Sequence, residues 1–318
     1  MTELNQPISG NDLARFSGPT TFMRLPLAHS LDGLDVAILG VPMDIGTSWR
    51  SGARFAPKEI RNQSAAIRPY NLTTGDAPFD THNIADIGDL AINTYSLPDT
   101  LRIVEESFEA ILAGSDVVPV ALGGDQSITL PILRAMSRKH GPVAVIHVDA
   151  RSDSSEATFG ERDTGGTVFR RAQEEGLVDA EKVYQIGLRG TGETATELKD
   201  AQGWGFQHFL ASELWNRSLA GLGAEIRRDI GGRPVYLSFD ISALDPAFAP
   251  GTGAPEIGGL TSMQMLELIR ALKGVNLVGC DMVEVAPAYD PTGTTSLVAA
   301  NLVYEMLCIL PQQSDTAE

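Results

Sequence analysis

Basic residues, cysteine and long apolar runs are all scarce in this chain, and each shortage removes a class of function. Its 318 residues carry 24 Lys+Arg against 41 Asp+Glu, a formal charge of −17 at pH 7. A surface with that balance repels the phosphates of nucleic acid and of anionic membranes, so neither is expected as a partner. The two cysteines, Cys280 and Cys308, lie in apolar surroundings and read as buried reduced thiols, not as a disulfide framework. No apolar run approaches the roughly 20 residues that cross a bilayer. The opening "MTELNQPISGNDLARF" lacks the basic stretch and apolar stretch of a secretory leader. The expectation is a soluble, cytoplasmic protein. What is present is a composition 43% hydrophobic, enough to bury a large core.

Short continuous apolar runs rich in Val and Ile recur: "LDVAILGVP", "VVPVALGGD", "VAVIHVDA", "KVYQIGLRG", "RPVYLSFDI" and "VNLVGCDMVEV". Without period-2 alternation, such runs fit strands buried on both faces, as in a parallel sheet. Between them lie segments with helical spacing: "LPDTLRIVEESFEAILAG", "SITLPILRAMSRKHG", "SELWNRSLAGLGAEIRRDIGG" and "TSMQMLELIRALKG". Several close on Gly after basic residues, a helix stop. No linker, repeat or low-complexity tract interrupts the pattern. The prediction is one α/β domain over residues 1–318, a mostly parallel sheet between two helix layers, with residues 1–30 as a less regular N-terminal arm.

In such sheets ligands bind beyond the carboxyl ends of the strands, and polar residues concentrate there. One run ends in Gly123-Gly124-Asp125-Gln126-Ser127 and the next in Asp149-Ala150-Arg151-Ser152-Asp153. A later run ends in Ser238-Phe239-Asp240-Ile241-Ser242, and the last reaches Asp281 and Glu284. Asp125, Asp149, Asp153, Asp240 and Glu284 are therefore expected to converge. Carboxylates gathered in one place repel one another and require a cation: a metal, a cationic ligand or a basic side chain. Arg151 stands between two of them, where a metal site would carry a neutral donor.

These strand ends run with "GVPMDIGTSWRSGARFAPKEIRNQS", "IRPYNLTTGDAPFD", "ADIGDLAINTYSL", "SFDISALDPAFAPGTGAPEIGGLT" and "GCDMVEVAPAYDPTGTTSLVAANLVYEMLC". The set resembles, nearly end to end, the ureohydrolases: arginases, agmatinases and guanidino-acid amidinohydrolases, with guanidinobutyrase-type enzymes nearest in pattern. The resemblance implies an arginase-like three-layer α/β/α fold with about eight strands. It also implies attack on a guanidinium carbon by a hydroxide shared between two Mn²⁺ or Ni²⁺ ions. The family's ligands come from Gly-Gly-Asp-His, Asp-Ala-His-x-Asp and Asp-x-Asp. A further His before Gly-Thr lies near the substrate, and a Glu on the last strand binds the guanidinium. At the His, His and Asp positions of those ligand motifs this chain carries Gln126, Arg151 and Ser242, and Gly165 replaces the His before Gly166-Thr167. Asp149, Asp153, Asp240 and Glu284 remain. Met43 and Trp49 fall where the family shapes its substrate pocket, and Trp49 equally suits a subunit contact.

Among the histidines only His147 is near, two residues before Asp149 on the same strand face and one pleat deeper. It reads as a hydrogen-bonded core residue and not as a replacement ligand. Losing imidazole removes most affinity for Mn²⁺ or Ni²⁺. Oxygen ligands alone hold Mg²⁺ or Ca²⁺, but a guanidinium cannot shed its proton to make room for another cation. Turned inward, Arg151 would fork onto Asp149 or Asp240; turned outward, it would leave the aspartates short of positive charge. Gln126 and Ser242 are neutral hydrogen-bonders able to satisfy the remaining carboxylate oxygens. Glu284 is either a retained guanidinium binder or a leftover carboxylate beside a basic group. The expectation is a chain with no metal and no catalytic residue of its own.

The leading functional reading is a non-catalytic subunit in a mixed trimer or hexamer with a catalytic ureohydrolase paralogue, which would hold Ni²⁺ or Mn²⁺. In this the sequence resembles the metal-less sister subunit of heteromeric metformin hydrolases, which turn metformin and water into dimethylamine and guanylurea. One alternative is a stand-alone sensor binding a guanidino compound through Glu284 and the aspartates. The other is a divergent, metal-independent amidinohydrolase with an Asp base and Arg151 as electrophile.

Overall fold

Eight strands pair side by side in a computed structural model that describes residues 4–192 and 196–311. They are β1 (Val36–Val41), β2 (Ile84–Asp89), β3 (Val118–Gly123), β4 (Val143–Val148), β5 (Val178–Leu188), β6 (Gln207–Leu210), β7 (Pro234–Asp240) and β8 (Asn276–Val283). The order across the sheet is β2-β1-β3-β8-β7-β4-β5-β6, and every pairing is parallel. The six apolar runs read from the sequence are the inner strands. The two it does not single out, "IADIGD" and "QHFL", are the two edges, where one side of the strand is unpaired and fewer apolar residues are needed.

Burial on both faces explains the absence of alternation in the inner strands. Val36 and Ile38 of β1 pack into one apolar cluster with the helices Ala56–Ser64, Ala220–Ile230, Ser262–Ala271 and Thr294–Cys308. Their neighbours Ala37 and Leu39 pack into a second cluster with the helices Leu97–Leu112, Thr129–His140 and Val168–Glu174. The result is the three-layer α/β/α fold.

Two helical readings change in detail. The segment Ser212–Gly232 is not continuous: a short helix Ala211–Leu214 and the helix Ala220–Ile230 flank a break in which Asn216 adopts φ 56°. The segment Ser127–Gly141 opens as a 3-10 turn, Gln126–Ile128, before the helix Thr129–His140, and Gly141 ends it at φ 74°. Ahead of β1 the described residues form no strand, yet part of this segment is core. The turn Phe22–Arg24 is buried, with Phe22 N–H donating to Asp86 Oδ2 (2.8 Å) and Met23 N–H to Ser64 Oγ (2.6 Å). Cys280 and Cys308 are free and buried. Among the described residues no helix is long and apolar enough to cross a membrane.

Candidate functional site

Because β3, β8, β7 and β4 are consecutive in the sheet, the residues leaving their carboxyl ends meet. Asp125 follows β3 and Asp240 closes β7, and each caps a 3-10 turn by accepting from the backbone N–H two residues on, Ser127 and Ser242. Asp149 and Asp153 follow β4, and Glu284 follows β8. The four aspartates are buried and Glu284 half-buried. Asp153 and Glu284 hold φ of 47° and 62°, a left-handed backbone that costs a non-glycine residue about 1–3 kcal/mol. Gly124 lets the first loop cross here: a Cβ on it would stand 2.5 Å from the Met43 carbonyl oxygen. Met43 itself is buried, whereas Trp49 is exposed with the Arg50 guanidinium 4.1 Å from its ring centre.

Arg151 turns into this cluster but does not fork onto a carboxylate. Its Nη2 lies 3.9 Å from Asp149 Oδ1 and 3.8 Å from Asp240 Oδ2, beyond hydrogen-bond reach. Its hydrogen bonds go to Ser242 Oγ (3.1 Å) and to the Ala254 carbonyl (3.1 Å). Ser242 relays the contact by donating to Asp149 Oδ1 at 3.0 Å. The expected fork fails because the Ser242 hydroxyl stands between the guanidinium and the carboxylate while Ala254 holds the other nitrogen.

Gln126 also departs from expectation. Its side chain turns into the sheet, where Nε2 donates to Thr129 Oγ1 (3.0 Å) and Ser238 Oγ (3.1 Å). Both hydroxyls donate on to Asp281 at 2.8 Å, which also accepts from Tyr236 at 2.7 Å. Only the Gln126 backbone N–H reaches a site carboxylate, Glu284 Oε1 at 2.9 Å. Gly165 lies over this residue, since a Cβ there would come 3.4 Å from Gln126 Cβ.

His147 is nearer than the sequence suggests. It is fully buried, with Nδ1 3.1 Å from Gln185 Nε2 and its ring against Phe169. Its Nε2 approaches Asp149 Oδ2 to 3.3 Å without the alignment of a hydrogen bond, leaving both atoms without a hydrogen-bond partner. With Asp153 the two form a group whose candidate ligand atoms lie within 4.8 Å of one another. The signal was in "HVD": residues i and i+2 share a strand face, and a long imidazole spans one pleat.

The electrostatics follow from burial around a single cation. Burial pushes Asp149 up, but His147 and the Arg151 charge outweigh it and hold the carboxyl below its ordinary range. Burial, then the charge of Asp149, lifts Asp153 and Asp240 well above theirs. Burial raises Asp125 to about 6 against three hydrogen bonds, and burial with the charge of Asp125 raises Glu284 to about 8. The cluster thus favours the ionised form of Asp149 beside Arg151 and the protonated forms of Asp153 and Asp240. A two-metal centre does not fit these residues: a permanent cation already lies against Asp149 and Asp240, and Gln126 offers its amide elsewhere. His147, Asp149 and Asp153 supply only part of a ligand set.

One positioning residue escaped the sequence reading. Arg189, just after β5, donates to the carbonyls of Ser242 (2.8 Å), Ala243 (3.0 Å) and Glu256 (2.7 Å), tying together the two loops that flank Arg151. Nothing but its place at a strand end marked it.

Comparison with known proteins agrees with this architecture. The model of the arginase family matches residues 34–308. The chain is 56% identical to guanidinobutyrase of Pseudomonas aeruginosa over 97% of each chain. It is 52% identical to mitochondrial agmatinase of Gallus gallus, over 98% of this chain and 91% of that one. Among solved structures, proclavaminate amidinohydrolase of Streptomyces clavuligerus superposes with a TM-score of 0.87 at 39% identity, over 93% of this chain and 99% of that one. The arginase family is metal-dependent. The chain belongs to the arginase family, and within those guanidino-compound hydrolases it is guanidinobutyrase-like.

Proposed function

We propose that this chain is a non-catalytic subunit of a heteromeric ureohydrolase, assembling with a paralogue that keeps its histidines and holds the Ni²⁺ or Mn²⁺. The observation that carries this reading is Arg151, whose guanidinium occupies the space between Asp149 and Asp240 through Ser242. Without metal charge, the water near these carboxylates has no means of becoming hydroxide at neutral pH. The retained left-handed backbone at Asp153 and Glu284 supports descent from a working site, because such strain is costly to keep by chance. The assembly would act on a guanidino compound. Its most specific form is metformin hydrolase, releasing dimethylamine and guanylurea, a reading that rests on sequence resemblance.

The test is to purify the chain alone and together with an intact paralogue. Alone, it should contain no stoichiometric Ni or Mn by elemental analysis and release neither urea nor dimethylamine; activity should require both chains. Hydrolysis by the single chain would end this reading. Saturable binding of a guanidino ligand by the chain alone, without turnover, would support the sensor instead.

A further inference from the structure

An open cavity of about 810 Å³ lies between the N-terminal arm, residues 65–72 and the Thr294–Cys308 helix, and no strand-end residue lines it. Its charged lining is one-sided: Arg15, Arg24 and Arg68 against Glu305 alone. Glu305 is already neutralised, because Arg270 forks onto it at 2.9 and 2.5 Å and Asn71 adds a hydrogen bond of 3.1 Å.

The arginines are not neutralised. Arg24 is 3% exposed, and its guanidinium donates to the backbone carbonyls of Ile8 (2.6 Å), Leu13 (2.9 Å) and Ala14 (3.2 Å). Its Nε is buried without a partner, and it forms no ion pair among the described residues. Carbonyl dipoles stabilise a buried cation but do not cancel its charge, and a buried charge without a counter-ion is costly. Arg15 and Arg68 are exposed and likewise have no ion pair or hydrogen bond among the described residues. Three arginines thus face one cavity with no free acid among the described residues that line it, an arrangement suited to an external anion.

We propose that this cavity binds a small organic anion carrying carboxylate or phosphate groups, engaged by Arg15 and Arg68 and stabilised by the field of Arg24. The volume is within the range of small-molecule sites, about 300–1,000 Å³. Because Arg15 belongs to the arm, an anion here would also fasten the arm to the body of the protein. The proposal is independent of whether the strand-end site is catalytic.

The experiment titrates the full chain with succinate and, separately, with inorganic phosphate at constant ionic strength, followed by calorimetry and thermal shift. One saturable site per chain is expected. Arg15→Ala and Arg68→Ala should each weaken it by about tenfold or more, the usual loss with a charged hydrogen bond. Both side chains are exposed, so the unliganded variants should keep their melting temperature and circular dichroism. Binding of one probe and not the other assigns the ligand's chemistry. No saturable binding of either at millimolar concentration, or binding unchanged in the Arg15→Ala, Arg68→Ala double variant, overturns the proposal.

Discussion

Arg61 and Arg151 are both set against a pair of aspartates, and they are held in opposite ways. Arg61 meets Asp86 through Nε at 2.7 Å and Nη2 at 2.9 Å, and reaches Asp89 at 2.5 Å and the Gly88 carbonyl at 2.9 Å. Asp86 in turn accepts the backbone N–H groups of Phe22 and Gly88. That is the bidentate geometry of a guanidinium and carboxylate shaped for each other. The Arg151 guanidinium comes no nearer than 3.8 Å to either aspartate and leans on a hydroxyl and a carbonyl. The aspartates around Arg151 are positioned by strand ends and backbone N–H groups, and none of them depends on its guanidinium. Arg61 is part of the frame, whereas Arg151 occupies a frame built for something else.

The sharpest way to break this comparison is to delete each cation. Arg61→Ala should lower unfolding free energy by about 3–5 kcal/mol, since Asp86 is left buried and unpaired. Arg151→Ala should cost less, about 1–2 kcal/mol, from hydrogen bonds to neutral groups and a charge held 3.8 to 3.9 Å from its carboxylates. Equal losses in denaturant unfolding would show that Arg151 is as much a structural arginine as Arg61. A second test returns the frame to what the resemblance implies, with Gln126→His, Arg151→His, Gly165→His and Ser242→Asp together. The expected outcome is stoichiometric uptake of Ni²⁺ or Mn²⁺, with stabilisation of about 2.7 kcal/mol at metal a hundredfold above its Kd. A combined variant that folds but takes up no metal would mean that more than side chains has been lost.

Much of this was legible in the sequence, because parallel strands write their burial as unbroken apolar runs and their chemistry as polar residues at the ends. The convergence of Asp125, Asp149, Asp153, Asp240 and Glu284 was legible from their places at the carboxyl ends of parallel strands, whereas the order that makes those strands neighbours is visible only in the fold. What stayed hidden depended on side-chain direction. Whether Arg151 forks depends on the Ser242 hydroxyl lying between it and Asp149. Whether Gln126 serves a carboxylate depends on Thr129 and Ser238 competing for its amide. The edge strands β2 and β6 escaped notice because Asp86, Asp89, Gln207 and His208 dilute their apolar character.

Two carboxyls of the Arg151 cluster titrate near neutrality, and pH therefore probes this region directly. Asp125 and Glu284, lifted to about 6 and about 8, retain protons in the folded chain that the unfolded chain releases near pH 4. The folded state then binds more protons, so these groups make stability fall as pH rises from about 4 to about 8. Asp153 and Asp240 act in the same direction; Asp149, held low, contributes stability that is lost only as pH falls below the ordinary carboxylate range. Glu284→Gln keeps the shape and removes the titration. It should stabilise the chain by about 4 kcal/mol at pH 8 and by almost nothing at pH 4, read from denaturant midpoints. An equal effect at both values would mean that Glu284 is ionised throughout.

The smallest expected effect bears most directly on how Arg151 is held. Ser242 Oγ is the one atom that accepts from Arg151 and donates to Asp149. If that relay substitutes for the missing fork, Ser242→Ala removes two hydrogen bonds, leaves Asp149 Oδ1 with the Arg151 backbone N–H, and costs about 1 kcal/mol at pH 7. Combined with Arg151→Ala, the two losses should be clearly less than additive, because each deletes the same bridge. Strict additivity in a double-mutant cycle would instead mean that Arg151 acts on Asp149 by charge alone, and that the hydroxyl between them is incidental.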